Sequence, residues 1–343
     1  MSDLRVVITG MGLVTPFGVG TQVFWENIAR GNSAASLIDS FDASHLPVRF
    51  AAQVPLTGTD LDSLVEKQRT TKTMSRSAKF AVICASEAVN NSGLDTTRTD
   101  PYRVGTSLGT GGLGLHDIEY SEKTLQIFCD SINENEMKLD HALLWKNTLA
   151  RVHPLTPLKA LPNIPTAHIA INHNARGHCQ TITTACTSAA QAIGEAYRQI
   201  KSGVCDVVIT GGSDSVVNPH GIAAFSGLGV MSKNNDEYRT AARPFDKRRD
   251  GFMLGEGGAI FVLEELDHCR ARGGNVLGEI VGYASTNDAY RLTDEPASAW
   301  GSIEAMRQAL SGARVSPGDV DYINAHGTGT LMNDKTETLA IKA

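Results

Sequence analysis

An α/β fold around a buried, largely parallel sheet is what this sequence predicts, and three observations predict it. Short β-branched runs that end in glycines, RVVITGMG at 5–12 among them, alternate with segments of helical apolar spacing. CQTITTA at 179–185, the helical CTSAAQAIGEAYRQIKSG and CDVVITGGS at 205–213 read as a strand–helix–strand unit, which implies parallel strands buried on both faces. The strings VVITGMG and VVITGGS are alike. Any buried strand feeding a glycine turn looks so, and the sharper reading is a chain of two similar halves.

Each element follows in order. After the first strand, TQVFWENIARG is expected to be a helix with Thr21 as its N-cap and Gly31 as its stop. SRSAKFAVICASEAVNNSG (75–93) opens at Ser75, carries Ala78, Val82 and Ala85 on one face, and ends at Gly93. RVGTSLG (103–109) is a strand. Residues 116–165 hold the polar DSINENEMK and the proline-punctuated HPLTPLKALPNIP, and are expected to be an inserted excursion with helical pieces. Strands follow at GGAIFVLEEL (257–266) and GEIVGYAS (278–285), and a helix at SIEAMRQALSGA (302–313). DYINAHG (321–327) reads as a strand with its exit loop, and DKTETLAIKA (334–343) as a helix. No low-complexity linker divides the chain. The expected units are 1–255, with the insertion, and 256–343.

Composition bounds the function. The 343 residues are 41% hydrophobic and 20% charged, an ordinary globular balance with material for one large or two ordinary domains. A net charge of −6 argues against a general nucleic-acid binder. Lys247, Arg248 and Arg249 form the one short basic cluster, a solvated turn or a contact for an anionic partner. No apolar stretch approaches the ~20 residues that span a bilayer, and MSDLRVVITG has no cleavable signal pattern. A cytoplasmic protein with no membrane partner is expected. Cys84, Cys129, Cys179, Cys186, Cys205 and Cys269 show no regular framework and read as reduced thiols.

One thiol stands out. Cys186 follows a strand and opens a helix whose apolar positions Ala189, Ala190, Ile193, Ala196, Tyr197 and Ile200 recur at helical spacing. A helix start leaves backbone N–H groups unpaired and partly positive, which favours a thiolate and can hold a developing oxyanion. The plain alternative is a structural cysteine in a core turn. His326, in AHGTGT at 325–330, follows a strand and is placed to serve a reacting carbonyl; the alternative is a capping histidine in a tight turn. Thr328 and Thr330 can hydrogen-bond an amide-bearing substrate arm. GTGGLG (109–114) lacks the context of a nucleotide cradle. His168, His173 and His178 recur every five residues, the wrong spacing for one helix face to offer a metal. RPFDKRRDGFMLGEGG (243–258) reads as an ordered loop. Phe225 is a core residue or lines an apolar tunnel.

TTACTSAA around Cys186, DVVITGGSD at 206–214, RPFDKRRDGFMLGEGGAIFVLEE at 243–265 and DYINAHGTGTLMNDKTET at 321–338 together resemble the elongating β-ketoacyl-acyl carrier protein synthases of the thiolase superfamily. The resemblance implies a thiolase-like fold of two similar βαβαβ-type halves in α-β-α-β-α layers, the second incomplete. It implies decarboxylative Claisen condensation of an acyl-enzyme thioester with malonyl-acyl carrier protein in fatty acid elongation, or the same chemistry in a type II polyketide ketosynthase. A partial condensing-enzyme fragment is the further alternative. In this resemblance Cys186 is the nucleophile and its own N–H an oxyanion donor. His326 binds the malonyl thioester carbonyl, Thr328 and Thr330 hold the pantetheine arm, Phe225 lines the acyl pocket, and Glu337 supports the family's active-site lysine. That lysine, a second histidine and a glycine-rich Phe loop are expected beyond Ala343. The resemblance further implies no cofactor, acyl carrier protein as partner, and a homodimer paired through the strand before Cys186.

Overall fold

The computed structural model describes residues 4–112, 118–133 and 136–343; Leu113 and Gly114 of the glycine loop, and residues 134–135 of the polar stretch, lie outside them. The first unit contains β1 (Val6–Thr15), β2 (Gly18–Val19), α1 (Thr21–Ala29), β3 (Ser36–Leu37), β4 (Phe50–Ala51), α2 (Gly58–Leu64), α3 (Arg76–Ser92) and β5 (Val104–Gly109). The excursion folds as α4 (Ile118–Cys129), β6 (Ile132–Asn133), β7 (Lys138–Leu139), α5 (His141–Arg151) and α6 (Thr156–Lys159), and leads into α7 (Ile164–Asn172). Then come β8 (Cys179–Ile182), α8 (Ser188–Lys201), β9 (Val207–Ser215), α9 (Pro219–Gly227) and β10 (Glu256–Glu265). The chain closes through α10 (Leu266–Ala271), β11 (Gly278–Ile280), α11 (Trp300–Ala313) and α12 (Leu331–Lys342). Among the described residues no helix is long and apolar enough to cross a membrane.

Seven strands make one sheet in the order β11-β1-β10-β9-β5-β8, with β2 beside β1. β5 runs parallel to both β8 and β9, while β1 and β10 pair antiparallel in its middle. The predicted strand–helix–strand unit is thus β8–α8–β9, with β5 lying between its two strands. β10 begins at Glu256, where the sequence reading divided the chain, and joins the first unit's sheet rather than opening a second one. Residues past β10 add helices and the short β11 but no large sheet of their own among those described.

Each face of the sheet is covered by the helix that the apolar pattern supplies. α3 buries Ala78, Ala81, Val82, Ala85 and Ala88 against Val14, Ile209, Ile260 and Val262. Its ends are the predicted ones: the Ser75 hydroxyl accepts from the amide of Ala78, and Gly93 closes it in the left-handed region. α8 covers the other face with Ala196 and Ile200 against Val6, Val208 and Leu263.

Four expectations are corrected. Thr21 is the first helical residue rather than the cap; Gly20 holds the cap position, and the carboxylate of Glu87 on α3 accepts from Thr21 N and Leu13 N. α8 starts at Ser188, not Cys186, because β8 ends at Ile182 and one 3₁₀ turn, Ala185–Thr187, intervenes. The strand expected at 278–285 stops at Ile280; beyond it Gly282 lies so close to α11 that an added Cβ would meet the Ala309 carbonyl oxygen at 2.3 Å. Residues 321–327 form no strand among the described residues, since the amides of His326 and Gly327 are taken by a side chain of α12.

One ion pair ties the layers together. Arg76 on α3 donates from Nε and Nη2 to Glu256 on β10, at 2.7–3.1 Å, and from Nη1 and Nη2 to the carbonyls of Leu56 and Val54. Glu256 is buried and also accepts from Val54 N and Ser215 Oγ. Removing one partner leaves an uncompensated charge in a low-dielectric site, whereas removing both does not. Arg76→Met is therefore expected to cost about 3–5 kcal/mol in urea unfolding, with most of that loss recovered in the Arg76→Met/Glu256→Met double variant.

Candidate active site

The site begins with a crowded turn. At the end of β5, an added Cβ on Gly109 would sit 2.3 Å from the backbone of Ser188 and Ala189, so only glycine lets α8 start this close to the sheet. The chain between β8 and α8 is wound tightly by its own hydroxyls. Ser188 Oγ accepts from Thr184 N at 2.8 Å and donates to the Ala185 carbonyl at 2.7 Å, while Thr187 Oγ1 donates to the Thr184 carbonyl. Ala185 sits at φ 53°, a left-handed conformation that costs a residue with a Cβ about 1–3 kcal/mol. Cys186 comes next and is exposed, while Cys84, Cys205 and Cys269 are buried.

His326 meets this turn from the other end of the chain. Its imidazole lies near enough to the Cys186 thiol for a side-chain hydrogen bond to be the leading influence on both groups. That bond draws the thiol below its ordinary range against the opposing effect of burial; the imidazole's charge and the residue's own backbone N–H act in the same sense, and Asp214 opposes. The same bond raises the His326 imidazole, again against burial, with the negative charges of Glu337 and Glu295 adding to the rise. Both directions favour the thiolate and the imidazolium over the neutral pair, the sense of shift that activates a cysteine.

Two carboxylates of α12 hold the His326 loop. Glu337 accepts from the backbone N–H of His326 at 2.6 Å and of Gly327 at 2.8 Å. Asp334, buried and one helical turn earlier, accepts from Gly329 N at 3.0 Å and Phe245 N at 2.6 Å and pairs with Arg249 Nε at 3.2 Å. Arg249 also donates to the carbonyls of Thr330 and Leu331. The loop predicted at 243–258 is thereby strapped to HGTGT. Glu337, expected to support a lysine, here spends its oxygens on amides.

The remaining predicted residues fall as follows. Thr328 and Thr330 lie on the same loop with their hydroxyls 2.9 Å apart, and Thr330 caps α12 by accepting from Asn333 N. Phe225 packs edge-on to Phe252, ring centres 5.8 Å apart, against the cluster of Phe50, Ile222 and Met231. Cys186 and His326 are brought into contact; the other residues surround the histidine loop or sit in this apolar cluster. Asp334 and Asp214 are not singled out in the sequence, and Arg249, read there as part of a basic cluster, pairs with Asp334. The spacing of Asp334 and Glu337, three apart on a helix and so on one face, is a signal that could have found the first. Among the described residues no cluster of metal-ligating side chains forms.

Comparison with known proteins identifies the family. The family descriptions "Beta-ketoacyl synthase, N-terminal domain" and "Beta-ketoacyl synthase, C-terminal domain" match residues 3–268 and 277–343. A putative polyketide β-ketoacyl synthase 1 of Streptomyces halstedii is 38% identical over 98% of this chain and 76% of its own length. A 3-oxoacyl-[acyl-carrier-protein] synthase 2 of Staphylococcus aureus is 34% identical over 99% of this chain and 77% of its own. Two solved structures superpose with a TM-score of 0.82 at 28% identity: a type II polyketide ketosynthase bound to its acyl carrier protein, and a β-ketoacyl synthase of Burkholderia phymatum. Each covers at least 98% of this chain, which spans 77% of theirs. The chain belongs to the β-ketoacyl synthase family, with its thiolase-like fold and condensing acyltransferase activity.

The paired shifts have a kinetic signature. Alkylation of Cys186 by iodoacetamide, followed by mass spectrometry, is expected to rise with pH through a midpoint below the ~8.5 of a free thiol. His326→Ala removes the hydrogen bond that lowers the thiol, so its midpoint moves up toward that value.

Proposed function

We propose that this β-ketoacyl synthase elongates an acyl chain by decarboxylative Claisen condensation with malonyl-acyl carrier protein, Cys186 carrying the chain. The observation that carries the reading is the Cys186–His326 contact, with the thiol drawn down and the imidazole raised. The Cys186 thiolate attacks the carbonyl carbon of an acyl thioester. The tetrahedral oxyanion forms beside the Cys186 N–H, whose positive end also lowers the thiol. Collapse breaks the bond to the carrier's sulfur, which leaves as a thiol with the proton that His326 took from Cys186.

The second half-reaction uses the same imidazole differently. Malonyl thioester binds with its carbonyl oxygen accepting from the His326 N–H. The bond to the carboxylate breaks, carbon dioxide leaves, and the electron pair passes to the α-carbon as an enolate held by that hydrogen bond. The carbanion attacks the acyl-cysteine carbonyl, a carbon–carbon bond forms, and the Cys186 thiolate is expelled and regenerated. Glu337 serves here by fixing the backbone of His326, so the imidazole does not have to be ordered during reaction. Thr328 and Thr330 border the approach of the pantetheine arm, and Phe225 the apolar side of the acyl pocket.

Fatty acid elongation is the pathway that the sequence motifs suggest. A type II polyketide pathway is the second reading, favoured by the 38% identity to a polyketide synthase against 34% to the synthase 2 enzyme. Product analysis with acetyl- and malonyl-carrier protein separates them: reduced-chain elongation substrates are turned over in the first case, unreduced poly-β-keto chains accumulate in the second. The reading also includes a homodimer, supported by β8, an edge strand of the sheet with Cys179 exposed.

Incubation with acyl-carrier protein is expected to add one acyl mass to Cys186. Cys186→Ala abolishes that adduct, while Cys84→Ala and Cys269→Ala retain it because both thiols are buried. Equal labelling of all three variants is the outcome that defeats the assignment.

A further inference from the structure

The end of β9 carries an acid that, among the described residues, forms no ion pair. Asp214 follows Gly212, which pairs with Gly109 at the end of β5. Asp214 Oδ1 accepts from Thr110 Oγ1 at 2.9 Å, and Oδ2 from Gly111 N at 2.8 Å. Thr110 N in turn donates to the carbonyl of Ile182, the last residue of β8, at 3.1 Å. Gly112, at φ 77°, lies close enough to the nucleophile turn that an added Cβ would meet Thr183 Cγ2 at 3.0 Å. One carboxylate therefore clamps the short glycine loop to two strand ends, and the loop braces the segment that leads into Cys186. Thr110 Oγ1 also accepts from Gly112 N at 3.3 Å, which tightens the loop on itself.

We infer that Asp214 is a positioning residue for the Cys186 nucleophile, fixing the Thr110–Gly112 loop against Thr183 and setting the negative charge under which the thiol works. The inference rests on the assignment of Cys186 as the acyl carrier. Two effects combine and have opposite signs. The clamp orders the turn, which favours transfer. The carboxylate charge opposes thiolate formation, in contrast to the His326 imidazole and the Cys186 N–H, which favour it. Burial raises Asp214 itself, with Gly111 N and the Thr110 hydroxyl pulling the other way. The charged or titratable groups that act on the thiol are thus Asp214 from β9 and His326 from the loop before α12; Glu337 of α12 and Glu295 of the 281–299 segment act on that imidazole.

The two effects separate in a pair of variants. Asp214→Asn removes the charge and one acceptor: the midpoint of the Cys186 alkylation profile is expected to fall, by on the order of half a pH unit for a single nearby charge, while acyl transfer from carrier protein slows about tenfold. Asp214→Glu restores the charge with a longer arm, so the alkylation midpoint returns to the wild-type value while transfer stays slow. An alkylation midpoint unchanged in Asp214→Asn, or full transfer activity in both variants, overturns the inference. Wild-type chain that acylates at Cys186 while the variants behave normally rejects only this role. Wild-type chain whose acyl adduct lies elsewhere rejects the underlying assignment instead.

Discussion

Everything at the reactive end of this molecule depends on how closely α8 can start above the sheet. Gly109, at the end of β5, and Gly212, opposite it on β9, carry no side chain where the first turn of α8 descends, and the added Cβ of either would collide with that turn or with the neighbouring strand. This contact leaves three residues, Thr183 to Ala185, to turn the chain from β8 into Cys186. The hydroxyl of Ser188 makes that short reversal feasible by serving an amide and a carbonyl at once. Cys186 leaves this turn exposed, whereas Cys84, Cys205 and Cys269 are buried.

The partner histidine is placed by a different principle. Its loop has no ladder to hold it, so backbone amides that a strand would have paired are satisfied by carboxylates. Glu337 and Asp334 stand on one face of α12 and take four amides between them, one of which, from Phe245, belongs to a distant loop. Electrostatics then follows geometry. Negative charge gathers behind His326 and favours its imidazolium, while the imidazolium favours the thiolate in front.

The sequence displays the first of these principles better than the second. The apolar spacing of α3, with Ser75 and Gly93 at its ends, is legible because a helix states its own limits locally. The unit around Cys186 is legible for the same reason, apart from the 3₁₀ turn, which arises from the tertiary approach of α8 to β5. The 321–327 segment has the look of a strand but lacks a neighbour to pair with among the described residues, and pairing cannot be read from one segment. Thr21 misleads in the same way: a cap from Glu87, far away in the sequence, replaces the local hydroxyl. Cys186 and His326 are each visible as candidates, yet their contact is a property of the assembled fold, and Asp214 has no local pattern at all.

Ala185 carries one more implication. Its left-handed backbone makes the residue hard to replace although its side chain performs no chemistry. Glycine would relieve the strain and slacken the reversal, trading a firmly aimed sulfur for a sturdier but looser molecule. A β-branched residue would resist the required torsion altogether. Drift at this exposed site is therefore steered toward residues that tolerate a left-handed backbone, glycine, asparagine and aspartate, for reasons invisible to any search for residues that touch substrate.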